Sequence, residues 1–160
     1  MIEIPLTKGY VTLIDDIDAD LVKIKWYASG LKTLHRYAVR GIWSNKTTKL
    51  ILMHRVILER VIGRPLNQEE VVDHINGNTL DNRRLNLRLA NRKQNSRNRK
   101  RQKGSTEYKG VHLKKNGMYS AQIQVDKKIK HLGTFATPEE AHKAYCEAAV
   151  KYFGEFARFE

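Results

Sequence analysis

The chain has 160 residues, of which 41% are hydrophobic, and this is enough for one ordinary domain or two small ones with packed cores. A disordered tail is therefore excluded. With 30 Lys and Arg residues against 17 Asp and Glu residues the net charge is +13, which predicts a polyanionic partner and makes nucleic acid the leading candidate. The sequence shows no long apolar run, signal-peptide pattern or lipidation motif, so we expect a soluble, intracellular protein without a membrane partner.

The N-terminal third has the pattern of short strands followed by one helix. From Ile2 to Asn45 apolar and polar residues alternate in short runs, which is typical of strands and hairpins. Within this region Asp18 to Val22 favours a short helix, because acidic residues suit the positive end of a helix dipole. The run LILMHRVILERVIG then changes to a helical period, and Gly63 and Pro65 end the predicted helix.

The stretch VVDHINGN, Val71 to Asn78, places an acid and a histidine side by side at the end of an apolar run. Two interpretations of Asp73 and His74 are open: a catalytic pair, or a polar strand end that runs into a turn. After this stretch LRLA predicts a second short strand, and Asn91 can cap a polar helix that begins near Arg92.

The residues around this pair could support hydrolysis of a phosphodiester bond. That reaction needs a base that activates water, a divalent cation that neutralises developing charge, and groups that hold both. His74 could be the base, with a side-chain carbonyl such as that of Asn86 hydrogen-bonded to its other ring nitrogen. Asp73 and Asn95 would provide hard oxygen ligands that suit magnesium.

Between Arg83 and Lys103 the chain carries many basic residues and no acid. A solvated helix face normally mixes both signs of charge, so this run favours phosphate binding, with a flexible solubilising linker as the alternative. The residues of this region that we assign to DNA contact are Arg83, Arg84, Arg92, Lys93, Arg97, Arg99, Lys100 and Arg101.

A new unit begins at Tyr108, after the break Gly104-Ser105-Thr106. The segments YKGVHLK, MYSAQIQV and IKHLGTF predict three strands joined by tight turns. Thr137 to Glu140 then form a capping box with Pro at the first helical position, and the helix that follows ends at Gly154. Small alanine side chains on one side let this helix lie close to the sheet. The core between them should contain Tyr108, Val111, Ala121, Ile123, Leu132, Phe135, Ala141 and Tyr145.

The single cysteine and several histidines are interpreted as structural. One cysteine, Cys146, excludes an internal disulfide and a thiolate zinc cage, and we expect it in the core. His54, beside Arg55 at the start of the first helix, suggests a structural or phosphate-contacting role. His35 and His142 do not belong to a group of polar residues that could act together in a site, so we interpret both as non-catalytic.

Three motifs together resemble an HNH endonuclease of the phage and intron homing kind: MHR at Met53, DHINGN at Asp73, and LDNRRLNLRLANRKQN from Leu80. The resemblance covers roughly residues 45–100, and the strands before it are similar to the N-terminal strands of such phage enzymes. It implies a ββα-metal active site.

Carried over position by position, the resemblance assigns four roles. His74 is the general base, Asp73 is a metal-binding carboxylate, and Asn86 orients the base. Asn95 stands where many members have a histidine, and its amide oxygen would ligate the metal. This set implies Mg²⁺ or Mn²⁺ as cofactor and argues against tightly bound zinc.

The segment from Tyr108 to Phe159 resembles the ethylene-response-factor (APETALA-type) DNA-binding domain. That resemblance implies a three-stranded sheet that enters the major groove, with a helix packed behind it. Gln122 and Gln124 can both reach bases, because alternate strand residues face one way, and Gln pairs with adenine; the alternative is that they are only solvent-facing. The contact positions carried over are Lys109, His112, Lys114, Gln122, Gln124, Lys130 and His131.

We therefore expect an α+β chain in which an N-terminal β-rich region leads into a ββα-metal (HNH) nuclease unit, followed by a three-stranded antiparallel sheet packed on one helix. The expected divisions are a nuclease domain over 1–103, with N-terminal strands over 1–52, an HNH core over 53–100 and a basic linker over 92–106, and a DNA-binding domain over 107–160.

The leading functional hypothesis is a site-specific, metal-dependent DNA endonuclease of the homing type. It would nick one strand of double-stranded DNA as a monomer, in the cytoplasm of a bacterial or phage-infected host cell. The first alternative is a DNA-binding regulator with an inactive HNH unit. The second is an RNA-binding or ribosome-associated basic protein, which would not explain the DHINGN motif and which more often shows exposed stacking aromatics.

Overall fold

The computed structural model describes residues 1–29, 36–44, 46–98 and 105–159. They form a mixed α+β structure, as expected, and the chain divides into two compact units, Met1–Arg92 and Lys93–Glu160. Within these ranges no helix is long and apolar enough to span a membrane. Four of the residues singled out in the sequence lie outside the described residues, namely His35, Arg99, Lys100 and Arg101.

The first unit begins with two small antiparallel sheets. One pairs β1 with β2, and the other has the strand order β3-β4-β5. A 3-10 helix over Asp16–Lys23 lies between the sheets in the chain, at the place where the acidic run predicted a short helix. The strands are β1 (Ile2–Pro5), β2 (Val11–Ile14), β3 (Tyr27–Ala28), β4 (Ala38–Ser44) and β5 (Thr47–Leu52).

Helix α1 (Met53–Ile62) supplies the centre of the first core. Its period of 3.6 residues places one apolar side inward, and Gly63 ends the helix in the left-handed conformation with φ 70°, as the sequence predicted. Its buried residues are Met53, His54, Ile57 and Leu58. Residues from β1, β2, the 3-10 helix and the following hairpin complete this core, among them Ile4, Ile14, Leu21, Val72 and Leu87.

A hairpin and a short helix follow α1. Strand β6 (Glu70–His74) pairs antiparallel with β7 (Leu87–Asn91), and helix α2 (Arg92–Arg97) begins directly after β7. The register places His74 opposite Leu87 at the end of the ladder, so the connection between the strands leaves from the histidine.

This connection is attached to the N-terminal hairpin. Leu13 of β2 and Asp81 of the connection form an isolated parallel bridge. The Leu13 N–H donates to the Leu80 carbonyl at 2.9 Å, and the Asn82 N–H donates to the Leu13 carbonyl at 2.8 Å. Strand β2 therefore fixes the backbone of the connection at residues 80–82.

The second unit has the predicted three-stranded antiparallel sheet packed on one helix. Strands β8 (Val111–Leu113), β9 (Tyr119–Val125) and β10 (Lys128–Phe135) are ordered β10-β9-β8, and helix α3 spans Pro138–Phe153. The capping box is formed: Glu140 N–H donates to Thr137 Oγ1, and Thr137 N–H donates to Glu140 Oε2, each at 3.3 Å. All eight predicted core residues belong to the two clusters between sheet and helix.

Two local features set the shape of this sheet. The register shifts between His131 and Gly133, so Leu132 is an extra residue in β10, a β-bulge. Before β8, Gly110 has φ 75°, and a Cβ atom there would lie 2.1 Å from the Tyr145 ring. Helix α3 can approach the start of β8 this closely only because residue 110 is glycine.

Candidate functional site

His74, at the end of β6, projects into the core of the first unit. It is 4% exposed, and its ring lies against two other aromatic rings. The ring of His54 on α1 meets it edge to face with centroids 5.2 Å apart, and the centroid of the Tyr37 ring lies 6.2 Å away. These contacts fix the plane of the imidazole.

The environment of these two histidines disfavours their charged forms. Burial lowers the pKa of His74, although the hydrogen bond to the Asn82 amide oxygen and the charges of Asp73 and Asp81 act in the opposite direction. Burial, with smaller contributions from His74 and Arg55, lowers the pKa of His54 to about 3. A neutral imidazole can accept a proton, so His74 is in the form that a general base requires.

A hydrogen-bond partner of the His74 ring is the amide oxygen of Asn82. The Nε2 atom of His74 lies 3.1 Å from Oδ1 of Asn82, and the Nδ2 atom of Asn82 lies 2.7 Å from the hydroxyl of Thr12. Asn82 and Thr12 are completely buried. Sequence reasoning did not single out these two residues. Asn82 lies within LDNRR and could have been considered, whereas Thr12 is 70 positions from its partner and carries no local signal.

Asn86 has a different position from the one expected. Its Oδ1 atom accepts from the N–H of Asn76 at 2.9 Å, and its Nδ2 atom donates to the Asp81 carbonyl at 2.7 Å. The amide thus ties the two halves of the connection between β6 and β7 together. Any effect of Asn86 on the base acts through the shape of this connection, and its catalytic role stays a prediction.

Asp73 lies opposite Arg88 in the β6–β7 ladder and pairs with it. The Nε and Nη2 atoms of Arg88 are 2.8 and 2.7 Å from Oδ2 of Asp73, and the carboxylate side chain is 3% exposed. The pair places a guanidinium against the Asp73 carboxylate, directly before the histidine in the chain.

The side chains next to His74 include a hard oxygen donor of the kind that a divalent cation accepts. Asp73 provides a carboxylate, and Mg²⁺ is commonly held by one or two carboxylates together with water and substrate phosphate. Among the described residues no group of three or more His, Cys, Asp or Glu side chains could hold a metal ion. The assignment of Mg²⁺ or Mn²⁺ stays a prediction.

The arginines that follow the site make internal ion pairs. Arg83 forms a two-pronged pair with Asp81, with distances of 2.7 and 2.6 Å. Arg84 donates from Nε and Nη2 to the buried carboxylate of Asp18 at 2.8 and 2.9 Å. These contacts give both arginines a structural role, and their assignment to DNA stays a prediction.

The exposed face of the second-unit sheet carries most of the contact positions assigned there. Register partners share a face, so His131 lies beside Gln122, and Ser120 lies between His112 and Thr134. Gln124 lies further along the same face by alternation. Short contacts link this face: Ser120 Oγ lies 3.2 Å from Nδ1 of His131, and Lys114 Nζ donates to Thr134 Oγ1 at 2.8 Å.

Lys130 and Lys109 have other surroundings. Lys130 pairs with Ile123 on the helix side, and its ammonium group lies 4.8 Å from the ring centroid of Tyr152. Lys109 is partly buried and donates from Nζ to the Arg97 carbonyl at 3.3 Å. Burial, together with the charge of Arg158, lowers the pKa of Lys109 to about 8.

Helix α2 carries the remaining assigned residues. Arg92 and Asn95 are exposed. Lys93 forms an ion pair with Asp126, and the guanidinium of Arg97 lies 4.7 Å from the ring centroid of Phe153. The DNA-binding assignments of these residues, and the metal-binding assignment of Asn95, stay predictions.

Part of the chain is similar to a known protein family. Residues 52–97 match the family model described as HNH endonuclease. The chain is 34% identical over 105 residues to an uncharacterized HNH endonuclease of Acanthamoeba polyphaga mimivirus, an alignment that covers 66% of this chain and 54% of the viral protein.

A second relative resembles a shorter part of the chain. It is an AP2/ERF and B3 domain-containing transcription factor of Arabidopsis thaliana, 46% identical over 48 residues, which is 30% of this chain and 14% of the plant protein. The chain thus spans less than two thirds of either relative. The match to the family model covers α1, the β6–β7 hairpin and α2.

Proposed function

We propose that this protein is a metal-dependent DNA endonuclease whose general base is His74. The observation that carries the proposal is the buried imidazole at the end of β6, held by Asn82 inside a segment that matches the HNH endonuclease family. A neutral histidine with one nitrogen bound to an amide is suited to take a proton from water on its other nitrogen.

The roles of the chain's own groups follow from this arrangement. His74 accepts the proton of the attacking water, and the Asn82 amide oxygen stabilises the imidazolium that forms, through the N–H that it already accepts. Arg88 holds the Asp73 carboxylate beside the base. The connection closed by Asn86 keeps the end of β6 in place.

We assign the divalent ion to Asp73, and the resemblance to the HNH family adds the Asn95 amide oxygen as a predicted ligand. Mg²⁺ or Mn²⁺ bound there would neutralise the charge that develops on the phosphate and on the leaving oxygen. The donor type supports this assignment, since a carboxylate and an amide oxygen are hard ligands that both ions accept.

The second unit is proposed to bind the DNA, as an ethylene-response-factor-like domain. Its exposed sheet face presents His112, Gln122, Gln124 and His131, and a two-stranded or wider ribbon fits the major groove. The similarity to the plant transcription factor over 48 residues supports this role. Charge supports it as well, because a net charge of +13 favours a polyanion.

The oligomeric state, the number of strands cut and the place of action are also part of the proposal. One candidate base per chain predicts that a monomer nicks one strand of double-stranded DNA. Homing activity would require a defined target locus, and the cytoplasm of a bacterial or virus-infected cell is the proposed place of action.

The test is cleavage of supercoiled DNA that carries the locus flanking the gene. Three reactions contain the wild-type protein with Mg²⁺, the wild-type protein with EDTA, and His74→Ala with Mg²⁺. His142→Ala, on α3 in the second unit, is the matched control. We expect relaxed circles only with wild type and the control in Mg²⁺. Intact DNA in every tube, together with a retained gel shift, would favour the alternative of a DNA-binding regulator with an inactive HNH unit.

A further inference from the structure

A chain of buried hydrogen bonds connects the ring of His74 to the N-terminal hairpin. It runs from His74 to Asn82 and from Asn82 to Thr12, and these residues are 4%, 0% and 0% exposed. The side chains of Asn82 and Thr12 are completely buried, so their donors and acceptors must match inside the protein. The direction of each hydrogen bond can therefore be assigned.

The carbonyl of Leu80 sets the direction at one end, because a carbonyl oxygen only accepts. It receives the hydroxyl of Thr12 at 2.7 Å and the N–H of Leu13 at 2.9 Å. The hydroxyl of Thr12 has one hydrogen, and once this is donated to Leu80 the oxygen can only accept. The Asn82 amide, 2.7 Å away, must then present Nδ2–H to Thr12.

The sulfur of Met53 favours the same orientation of the amide. It lies 3.6 Å from Nδ2 of Asn82, and a thioether sulfur is only an acceptor. A rotated amide would place Oδ1 against this sulfur and leave both without a donor. The longer contact of 4.0 Å between the Thr12 hydroxyl and the sulfur is weaker than the one at 2.7 Å to Leu80.

The orientation of the amide determines which nitrogen of His74 carries the proton. With Nδ2 directed at Thr12, Oδ1 faces Nε2 of His74 at 3.1 Å, and only an Nε2–H can make this hydrogen bond. We propose that Thr12 and Asn82 are positioning residues that hold His74 in the Nε2–H tautomer and so make Nδ1 the basic nitrogen. The assignment of Nδ1 as the proton acceptor in cleavage rests on the proposed endonuclease function, whereas the tautomer does not.

Thr12 is a part of the site that the family match does not include. The matched segment begins at residue 52, and the hydroxyl that orients Asn82 comes from β2. The N-terminal hairpin therefore contributes to the chemistry of the base as well as to the core.

The experiment is nitrogen NMR of the full-length protein at a pH where His74 is neutral, because protonated and unprotonated ring nitrogens resonate far apart. Wild type should show Nε2–H alone. Thr12→Val replaces the hydroxyl by a methyl group of similar shape, and we expect it to lose the single tautomer and to cleave roughly tenfold more slowly. Thr12→Ser keeps the hydroxyl and should restore the single tautomer, and Thr48→Val, at an exposed position of β5, is the matched control.

Each result has a defined meaning. A wild-type His74 with Nδ1–H overturns the proposal, and so does Thr12→Val with an unchanged tautomer and rate. If Thr12→Val does not fold, the wild-type spectrum and Thr12→Ser still decide. A protein that shows Nε2–H but cuts no DNA leaves the tautomer assignment standing and removes the endonuclease function, so the two failures are distinguishable.

Discussion

Arg88 of β7 holds the carboxylate of Asp73 from the directly opposite position on β6, with two nitrogens within 2.8 Å of the same oxygen. The side chains are 12% and 3% exposed. A buried ion pair of this kind contributes little net stability, but the loss of one partner leaves the other as an uncompensated buried charge.

Removal of Arg88 alone should therefore destabilise the first unit strongly. For Arg88→Leu we expect a loss of about 3 kcal/mol in the free energy of unfolding. The double variant Asp73→Asn with Arg88→Leu should lose clearly less than the sum of the single changes. Urea unfolding followed by tryptophan fluorescence measures this, because both tryptophans, Trp26 and Trp43, lie in the first unit. Additive effects would show that the pair is not coupled.

Asp18 is a second buried charge that holds the first unit together. It accepts hydrogen bonds from Arg60 on α1 at 3.0 Å and from Arg84 at 2.8 Å. Burial raises the pKa of Asp18, but the hydrogen bonds from Arg84 and Arg60 outweigh it, and the pKa lies below 3.8. The folded state thus binds the proton less well than the unfolded state, so this stabilisation is present above about pH 3.8 and is lost as the pH falls through the folded value.

Asp18→Asn should lower the free energy of unfolding by about 2 kcal/mol at neutral pH. We expect a loss at this lower level because the guanidinium groups of Arg60 and Arg84 are partly exposed to solvent. The variant should also weaken the dependence of stability on pH in acid. Asp16→Asn, at an exposed position, is the matched control and should change the unfolding midpoint little. Equal effects of the two substitutions would contradict the role of the Asp18 pairs.

His54 should make the first unit less stable below neutral pH. Its pKa falls from 6.5 to about 3 on burial, so below pH 6.5 the unfolded chain takes up a proton that the folded chain does not. Stability therefore rises with pH in this range, and the loss between pH 7 and pH 5 is about 2 kcal/mol for this residue. In His54→Phe, which keeps an aromatic ring beside Tyr37 and His74, urea midpoints at the two pH values should differ less. The same pH dependence in this variant would exclude His54 as its source.

The two faces of the second-unit sheet should differ in their effect on DNA binding. Lys114 contacts Thr134 on the exposed face, whereas Lys130 lies against Tyr152 on the helix side. If the exposed face binds DNA, Lys114→Ala should lower the slope of log affinity against log salt by about 0.9. Lys130→Ala should leave the slope close to wild type.

Binding is measured by fluorescence anisotropy in EDTA, which prevents cleavage during titration. The salt series is the informative measurement, because a folding defect would lower affinity without a defined change in slope. A larger slope change for Lys130→Ala than for Lys114→Ala would place the DNA on the other face.

The secondary structure could be predicted where local patterns determine it. The glycine at residue 63 gave the end of α1, and the capping box at Thr137 gave the start of α3. The helical run from Leu50 gave α1 itself, although residues 50–52 belong to β5. The three strands after Tyr108 also followed from alternation and turn residues. In each case the information lies within one element of the chain.

The contacts within the site could not be read from spacing. Asn82 and Asn86 both lie in the connection after His74, and only the folded loop shows that one amide contacts the ring and the other contacts backbone groups. Lys130 and His131 were both assigned to DNA, although neighbouring strand residues face opposite sides of a sheet, and the structure separates them. Such partners are determined by tertiary packing, and local sequence patterns carry no information about it.

The bridge between Leu13 and Asp81 has a consequence for gene exchange. A fragment that contained only residues 52–97 would lack Thr12 and Asp18, the partners of Asn82 and Arg84. It would also lack β2, where the backbone of Leu13 hydrogen-bonds to the Leu80 carbonyl and to the Asn82 N–H. A recombination event that transferred the matched segment alone would thus separate Asn82 and Arg84 from their partners.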